Sequence, residues 1–238
     1  MVLKRRFFTR RYYFYKLFKK EYHRYMFPKV FPHVKGLLQF DMSAKETFAG
    51  GKPIGAVVHY TADGDAAAGA ASLVAAGLGY HLIVAKDGSV YQMTSLDRKV
   101  WHAGKAAWRG HSPNQTCLAV ALVSWGFLRP SPGDAYRTYL GTLVVPGAVA
   151  WRTDNRFGIV QPWDAATPAQ TSALENILQR CLDLGMDPDM ICGHDECALP
   201  AGRKMDPGGV LPYTMADLRK RLKDDRQGNT QGKDGSSV

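Results

Sequence analysis

Residues 193–209 read Gly193-His194-Asp195-Glu196-Cys197-Ala198-Leu199-Pro200-Ala201-Gly202-Arg203-Lys204-Met205-Asp206-Pro207-Gly208-Gly209. The stretch follows a short apolar run and is rich in glycine and proline, which is typical of a loop leaving a strand. It carries His194 and Asp206 on a backbone that its prolines stiffen. Imidazole and carboxylate both bind zinc, and a catalytic zinc site takes three protein ligands and keeps one position open. The stretch therefore predicts two ligands and requires a third from elsewhere.

A second histidine, His59, ends a short apolar strand predicted at residues 54–58. The carboxyl end of a strand is where open α/β sheets place their ligands. A histidine at such a position is more often structural when no other motif accompanies it. His59 is therefore a candidate third ligand whose role depends on the motifs around it.

The body of the chain alternates between strand-like and helix-like segments. Residues 80–84 and 90–93 flank Asp87-Gly88, a hairpin signal, and alternation places Tyr80, Leu82 and Val84 on one face and His81 and Ile83 on the other. The other predicted elements are helices at 65–77, 167–184 and 214–223 and a central apolar strand at 117–123. This pattern predicts an α/β fold with a single mixed β-sheet flanked by helices.

Residues 126–165 lack clear periodicity and are interpreted as an insertion at the edge of a groove, with short strands at 142–145 and 148–152. The body is predicted to span residues 53–225, between a linker at 37–52 and a disordered tail at 226–238. The cysteines Cys117 and Cys181 lie in apolar runs and are predicted to be core thiols. A disulfide between Cys192 and Cys197 is not expected.

The net charge of +10 is concentrated at the N-terminus. Residues 1–36 hold 11 of the 31 Lys and Arg but only 1 of the 21 acidic residues, so the remainder has 20 of each. Aromatic residues recur there at helical spacing, which predicts a basic aromatic helical extension. Such a helix suits an anionic membrane or lipopolysaccharide surface, or a partner or virion protein; packing on the body is a further alternative, and nucleic acid is the least favoured partner.

Several motifs, in their order along the chain, resemble the zinc-dependent N-acetylmuramoyl-L-alanine amidase superfamily, which includes phage lysozyme-amidases, muropeptide amidases and peptidoglycan recognition proteins. The resemblance covers about residues 54–212. Its motifs are Val58-His59-Tyr60-Thr61-Ala62, Gly79-Tyr80-His81-Leu82-Ile83, Asp87-Gly88, Trp101-His102-Ala103-Gly104, Asn114 with the strand after it, Gly193-His194 and Arg203-Lys204-Met205-Asp206-Pro207-Gly208.

The resemblance implies zinc bound by His59, His194 and Asp206, and catalytic roles for Tyr80 and Lys204. Some bacterial relatives use a glutamate on the central strand, and Ala121 stands at that position here. We expect five residues to contact substrate: Trp101, His102, Trp108, Arg109 and Asn114. His81 is expected to be structural.

The implied function is hydrolysis of the bond between N-acetylmuramic acid and L-alanine of peptidoglycan, by a phage endolysin or virion-associated lysin. The alternatives are a non-catalytic recognition module and an amidase with a regulatory partner such as RNA polymerase. The N-terminus lacks the features of a secretory signal. The protein is therefore expected to be made in the cytoplasm, or carried in a virion, and to act on the cell wall.

Overall fold

A computed structural model describes residues 27–38, 46–154 and 156–231. Most of the predicted basic extension, the middle of the linker and the end of the tail lie outside these ranges. The strands are β1 (Gly36–Leu37), β2 (Gly55–Tyr60), β3 (Leu82–Val84), β4 (Val90–Gln92), β5 (Cys117–Leu122), β6 (Arg129–Pro130), β7 (Tyr136–Arg137), β8 (Leu143–Val144), β9 (Val149–Asp154), β10 (Ile159–Asp164) and β11 (Ile191–Gly193). The helices are α1 (Ala66–Ala75), α2 (Pro113–Thr116), α3 (Pro168–Asp183), α4 (His194–Cys197) and α5 (Met215–Gln231).

Six strands form one mixed sheet in the order β1-β4-β3-β5-β2-β11. The hairpin of β3 and β4 is antiparallel, as its Asp87-Gly88 turn predicts, and the pairs β3–β5, β5–β2 and β2–β11 are parallel. Every residue of β5 is buried because the strand is covered on both faces. The predicted α/β class with a single central mixed sheet is confirmed.

Helices cover both faces of this sheet. Leu118 and Val120 of β5 alternate with Ala119 and Ala121, and the two sets belong to different core clusters. The first set packs with buried side chains of α3 and α5, and the second packs with α1. The carboxyl ends of β2, β5 and β11 therefore lie together between two packed layers.

Thr167 begins α3 with the predicted capping box, since its hydroxyl accepts from the Gln170 amide and the Gln170 side chain accepts from the Thr167 amide, both at 3.1 Å. The last helix is longer than predicted, because no proline interrupts it before Gln231. Residues 226–231 of the predicted tail are therefore helical.

The predicted faces around β3 are wrong for one residue. Tyr80 packs in the same cluster as Ile83, whereas Leu82 and Val84 face the other cluster. The strand begins only at Leu82, so the two-residue alternation does not extend back to Tyr80. As a result, the Tyr80 ring lies on the same face of the sheet as the side chains of α1.

The ends of the predicted linker belong to the domain. β1 pairs in parallel with β4, and Phe48 is 2% exposed and stacks on the His81 ring. Residues preceding β1 also pack on the body, since Phe27 is buried in the main core and the Lys29 carbonyl accepts from the Gln92 side chain. The described part of the extension and linker is therefore continuous with the domain.

Residues 126–165 form two small sheets, one of β6, β7 and β8 and one of β9 and β10. The strands predicted at 142–145 and 148–152 correspond to β8 and β9, but each pairs with a different neighbour. Trp163 at the end of β10 is fully buried in the main core. Most of the exposed large apolar residues of the described chain lie here: Tyr139, Leu140, Leu143, Val145, Trp151, Phe157, Ile159 and Val160.

Two further features concern the described residues as a whole. All four cysteines are free and buried, which agrees with the interpretation of Cys117 and Cys181 as core thiols. Within the described ranges, every helix is too short or too polar to span a lipid bilayer.

Acid should destabilise the fold through His81. Burial lowers its pKa from 6.5 to about 4, and the neutral ring donates from Nε2 to the Arg98 carbonyl at 2.7 Å and accepts at Nδ1 from the Ala119 amide at 2.8 Å. The unfolded chain binds this proton below about pH 6.5, so stability is complete above that pH and declines towards pH 4, by up to about 3 kcal/mol.

The measurement is the free energy of unfolding by denaturant between pH 4 and pH 7. We expect the decline to be shallower in His81→Asn, whose side-chain oxygen still accepts from Ala119, than in the wild type. The exposed His111 supplies the control His111→Asn, which should keep the wild-type slope. Identical slopes for all three proteins would contradict the assignment.

Candidate metal centre

Three elements bring His59, His194 and Asp206 together. His59 is near the end of β2, and His194 directly follows the adjacent parallel strand β11, so the register of the sheet places their rings with centroids 4.6 Å apart. Asp206 comes from the glycine- and proline-rich loop, where its carbonyl accepts from the Asp195 amide at 2.7 Å. The stretch that starts at Gly193 thus folds back on its own beginning.

One carboxylate oxygen faces both imidazoles. Asp206 Oδ2 lies 2.8 Å from His59 Nδ1 and 2.9 Å from His194 Nδ1. All three residues are buried, with relative exposures of 0%, 3% and 9% for His59, His194 and Asp206. One ligand atom from each lies within 4.8 Å of the others, which a single ion about 2 Å from each can bridge.

The hydrogen bonds of His194 fit a shared cation. Its Nε2 lies 3.0 Å from the Ala103 carbonyl oxygen, which can only accept, so Nε2 carries the proton. Nδ1 is then the ring nitrogen that can bind an ion together with the Asp206 carboxylate. A carbonyl group on the other ring nitrogen is a usual way in which a second protein group orients a metal-binding histidine.

His59 has a comparable outer partner. Its Nε2 lies 3.0 Å from Nδ1 of His102, which is 6% exposed. The Ala103 carbonyl also accepts from Arg203 Nη2 at 2.9 Å. The Trp-His-Ala-Gly motif therefore contacts both candidate histidine ligands at Nε2, the ring nitrogen that does not face Asp206.

The ionisation of the cluster favours metal binding. Burial would raise the pKa of the Asp206 carboxyl, but His194 and His59 outweigh burial and hold that pKa well below its usual range. Burial lowers the pKa of His59 to about 4. A carboxylate beside a neutral imidazole is the state that binds a metal ion, so these residues fit zinc near neutral pH.

Tyr80 and Lys204 both lie close to the candidate ligands. The Tyr80 ring centroid is 4.9 Å from that of His59, and its hydroxyl donates to the Tyr60 carbonyl at 3.4 Å. Burial raises the pKa of Tyr80 well above its ordinary value, so the phenol keeps its proton. Lys204 is partly buried. Its positive charge lowers the pKa of His59, although burial and His194 lower that pKa more.

Ala121 lies beside the candidate ligands on the central strand. It is the register partner of His59 across β5 and β2, and it is fully buried. Because partners in adjacent parallel strands point to the same face, a glutamate here would reach the cluster. A methyl group at this position supplies no acid or base.

Asn114 holds the motif that orients the ligands. Its Oδ1 accepts from the amides of His102 and Ala103 at 3.0 and 2.8 Å, and its Nδ2 donates to the Gly104 carbonyl at 2.8 Å. The residue is 2% exposed. Its amide is therefore occupied by the loop, and the structure gives it an orienting position where the sequence suggested contact with substrate.

The structure separates Trp108 and Arg109 from the cluster. Trp108 Nε1 donates to the Asp189 carbonyl at 3.0 Å, and Arg109 pairs with the Asp189 carboxylate at 3.6 Å. Asp189 precedes β11, whereas His194 follows it, so these side chains lie towards the opposite end of the strand. Of the predicted aromatic substrate contacts, Trp101 precedes His102, the outer partner of His59, and is 48% exposed.

Tyr60 is a neighbour of the candidate ligands that sequence reasoning missed. Burial and then the Asp206 charge raise its pKa. Its ring packs on Gly126, where a β-carbon would lie 2.3 Å from the ring. The Val-His-Tyr-Thr motif contained this residue, but its contact with residues 126–127 depends on the tertiary fold.

Comparison with known proteins gives evidence that is independent of the site geometry. Residues 49–209 match the N-acetylmuramoyl-L-alanine amidase family. Among solved structures, the chain is similar to the E. coli amidase AmiD in complex with its anhydromuropeptide substrate (TM-score 0.52, 21% identity, 78% of this chain and 61% of that chain). It is also similar to AmpD (0.50, 17%, 83% and 98%) and to the Clostridium intestinale endolysin LysCS (0.50, 14%, 82% and 98%).

These structural similarities are at low sequence identity and show a shared fold, and this chain spans less than two thirds of the AmiD chain. None of the curated proteins matches the sequence significantly. The family match covers more than half of the chain and includes all three residues of the buried cluster. The chain therefore belongs to the N-acetylmuramoyl-L-alanine amidase family.

Proposed function

We propose that this protein is a zinc-dependent hydrolase that cleaves the amide bond between N-acetylmuramic acid and L-alanine in peptidoglycan. The observation that carries the proposal is the convergence of His59, His194 and Asp206, with an outer partner on each histidine, inside an amidase fold. Zinc bound there would polarise the scissile carbonyl and lower the pKa of a water molecule from 15.7 to about 7.

In this proposal Tyr80 is a hydrogen-bond donor and not a base. Its phenol is buried and keeps its proton, because burial raises its pKa. The long 3.4 Å bond to the Tyr60 carbonyl can be exchanged for a better acceptor on the reacting amide. Tyr80 therefore orients the substrate, and Ala121 offers no carboxylate that would replace it.

Lys204 supplies positive charge to the reacting carbonyl oxygen. Attack on the amide converts that oxygen into an oxyanion, which a preorganised cation stabilises more than it stabilises the ground state. Lys204 lies two residues before Asp206 on a loop held by Arg203, whose Nε donates to the Leu199 carbonyl at 2.8 Å. This anchoring supports a fixed position for the ammonium group.

A catalytic function is preferred to a recognition module because all three candidate ligands are present and buried together. We further propose that the protein is a phage endolysin or virion-associated lysin acting on the cell wall. Residues 1–36, with 11 basic residues and 1 acidic residue, would deliver it to an anionic envelope surface or a partner protein.

Zinc removal should abolish hydrolysis. We expect purified peptidoglycan to yield stem peptides with free L-alanine amino termini, detected by mass spectrometry, and expect a chelator to stop this and added zinc to restore it. His194→Ala and Asp206→Ala should each lose bound zinc, measured by elemental analysis, whereas His111→Ala should retain it. Failure of the zinc-loaded wild type on both intact wall and soluble muropeptides would favour the recognition module.

Replacing Lys204 should reduce catalysis without removing zinc. Lys204→Met should lower kcat by roughly 10²–10³-fold, as for loss of one oxyanion donor, and Tyr80→Phe by about 10-fold, as for one hydrogen bond. Lys105→Met, at an exposed lysine on a neighbouring loop, is the matched control. Wild-type kcat in Lys204→Met at full zinc occupancy would remove Lys204 from the mechanism.

Neutralising the extension should weaken attachment without affecting hydrolysis of soluble substrate. The variant Lys16→Gln/Lys19→Gln/Lys20→Gln should bind phosphatidylglycerol vesicles more weakly than the wild type in co-sedimentation, and the difference should shrink in high salt. Phosphatidylcholine vesicles are the control surface. Equal binding of both proteins to anionic vesicles would argue against electrostatic delivery to lipid.

A further inference from the structure

The hairpin of β9 and β10 holds the chain segment that follows Asp206. Arg152 lies in the middle of β9, and its Nη1 lies 2.7 Å from the Gly209 carbonyl oxygen, 2.9 Å from that of Val210 and 2.7 Å from that of Leu211. Its two hydrogens are thus shared among three consecutive backbone acceptors. Charged donors make stronger hydrogen bonds than neutral ones, so this contact strongly constrains the turn after Asp206.

Trp163 of β10 packs on the same turn. A β-carbon on Gly208 or Gly209 would lie 2.8 or 2.4 Å from the Trp163 ring, so only glycine permits this approach. Trp163 is fully buried, and its Nε1 donates to the Arg152 carbonyl at 3.2 Å. The indole therefore links the two strands of the hairpin to the glycine turn.

The hairpin also contacts the residue on the other side of Asp206. Arg156 Nη2 lies 3.8 Å from Met205 Sδ, and the same guanidinium donates to both carboxylate oxygens of Asp154, from Nε at 3.0 Å and Nη2 at 2.6 Å. Asp206 thus lies between two segments that a single hairpin holds.

The ligand loop needs this support because it has little regular structure of its own. Asp206 lies after β11 and α4 and before a short 3₁₀ turn at Gly208–Val210. Its backbone carbonyl accepts from Asp195, which holds one side of the residue only. A metal ligand must be placed within a fraction of an ångström, so contacts on the following turn bear directly on the geometry of the centre.

We propose that Arg152 is a positioning residue for the third metal ligand, acting through the carbonyls of residues 209–211. The inference rests on the proposed function, since it assumes that His59, His194 and Asp206 bind zinc. The proposal gives a role to the β9–β10 hairpin, which belongs to the segment that the sequence predicted at the edge of a groove. The hairpin keeps Asp206 in position relative to the two histidines.

The test compares three variants of the full chain. Arg152→Met keeps most of the aliphatic stem and removes the donors, Arg152→Lys keeps a single charged donor group, and Arg137→Met removes an exposed arginine of β7 that bonds only to the nearby Gly141 carbonyl within the described chain. The measurements are the zinc Kd by competition with a chromophoric chelator, the visible spectrum of the cobalt-loaded protein and the steady-state constants.

We expect Arg152→Met to raise the zinc Kd by about 10–100-fold, the usual effect of losing an outer-layer contact of a metal site. Its cobalt spectrum should change, because the spectrum reports ligand geometry, and kcat should fall more than KM rises. Arg152→Lys should recover part of the affinity, and Arg137→Met should match the wild type in every readout.

A wild-type zinc Kd and cobalt spectrum in folded Arg152→Met would overturn the inference while leaving the proposed function intact. If Arg152→Met does not fold, Arg152→Gln decides, because it lacks the charge and cannot donate to all three carbonyls; wild-type values for both readouts there would also overturn the inference. A wild-type protein that binds no zinc would contradict the proposed function, and the inference with it.

Discussion

The Asp206 carboxylate is buried against two imidazoles, with Oδ2 2.8 Å from His59 and 2.9 Å from His194. A carboxylate taken out of water costs several kcal/mol unless cations or donors surround it. The chain meets this constraint by placing His59 and His194 at the same end of the adjacent parallel strands β2 and β11. The loop that follows β11 returns to that end and brings Asp206 there. The positions of β2, β11 and the loop are all necessary for the cluster, and its chemistry follows from their convergence.

A second layer of contacts explains why the cluster has a single geometry. His194 is held by the Ala103 carbonyl across 91 residues of sequence, His59 by His102 across 43, and the turn after Asp206 by Arg152 across 57 or more. Asn114 in turn holds the amides of His102 and Ala103. One motif thus supports both histidines and a separate hairpin supports the turn after Asp206, and contacts of this kind commonly orient metal ligands in proteins.

Sequence reasoning succeeded where the signal was local. The capping box at Thr167, the hairpin at Asp87-Gly88 and the apolar strand β5 depend on neighbouring residues and were predicted correctly. The orientation of Tyr80 was predicted wrongly, because alternation holds only inside a strand and this strand begins at Leu82. The positions of Trp108 and Arg109 depend on contacts with Asp189, about 80 residues away, which no local pattern reveals.

By itself the sequence determined the central strands of the sheet, the family motifs and the identity of the three candidate ligands. Ordered motifs encode these features, because each depends on residue type and spacing. Only the tertiary structure decided which nitrogen of each histidine faces Asp206, that Asn114 orders a loop, and that residues 126–165 reach the loop of Asp206 through Arg152 and Trp163. Those features are contacts between segments distant in sequence, and they arise from the packing of the sheet and its loops, which spacing along the chain does not encode.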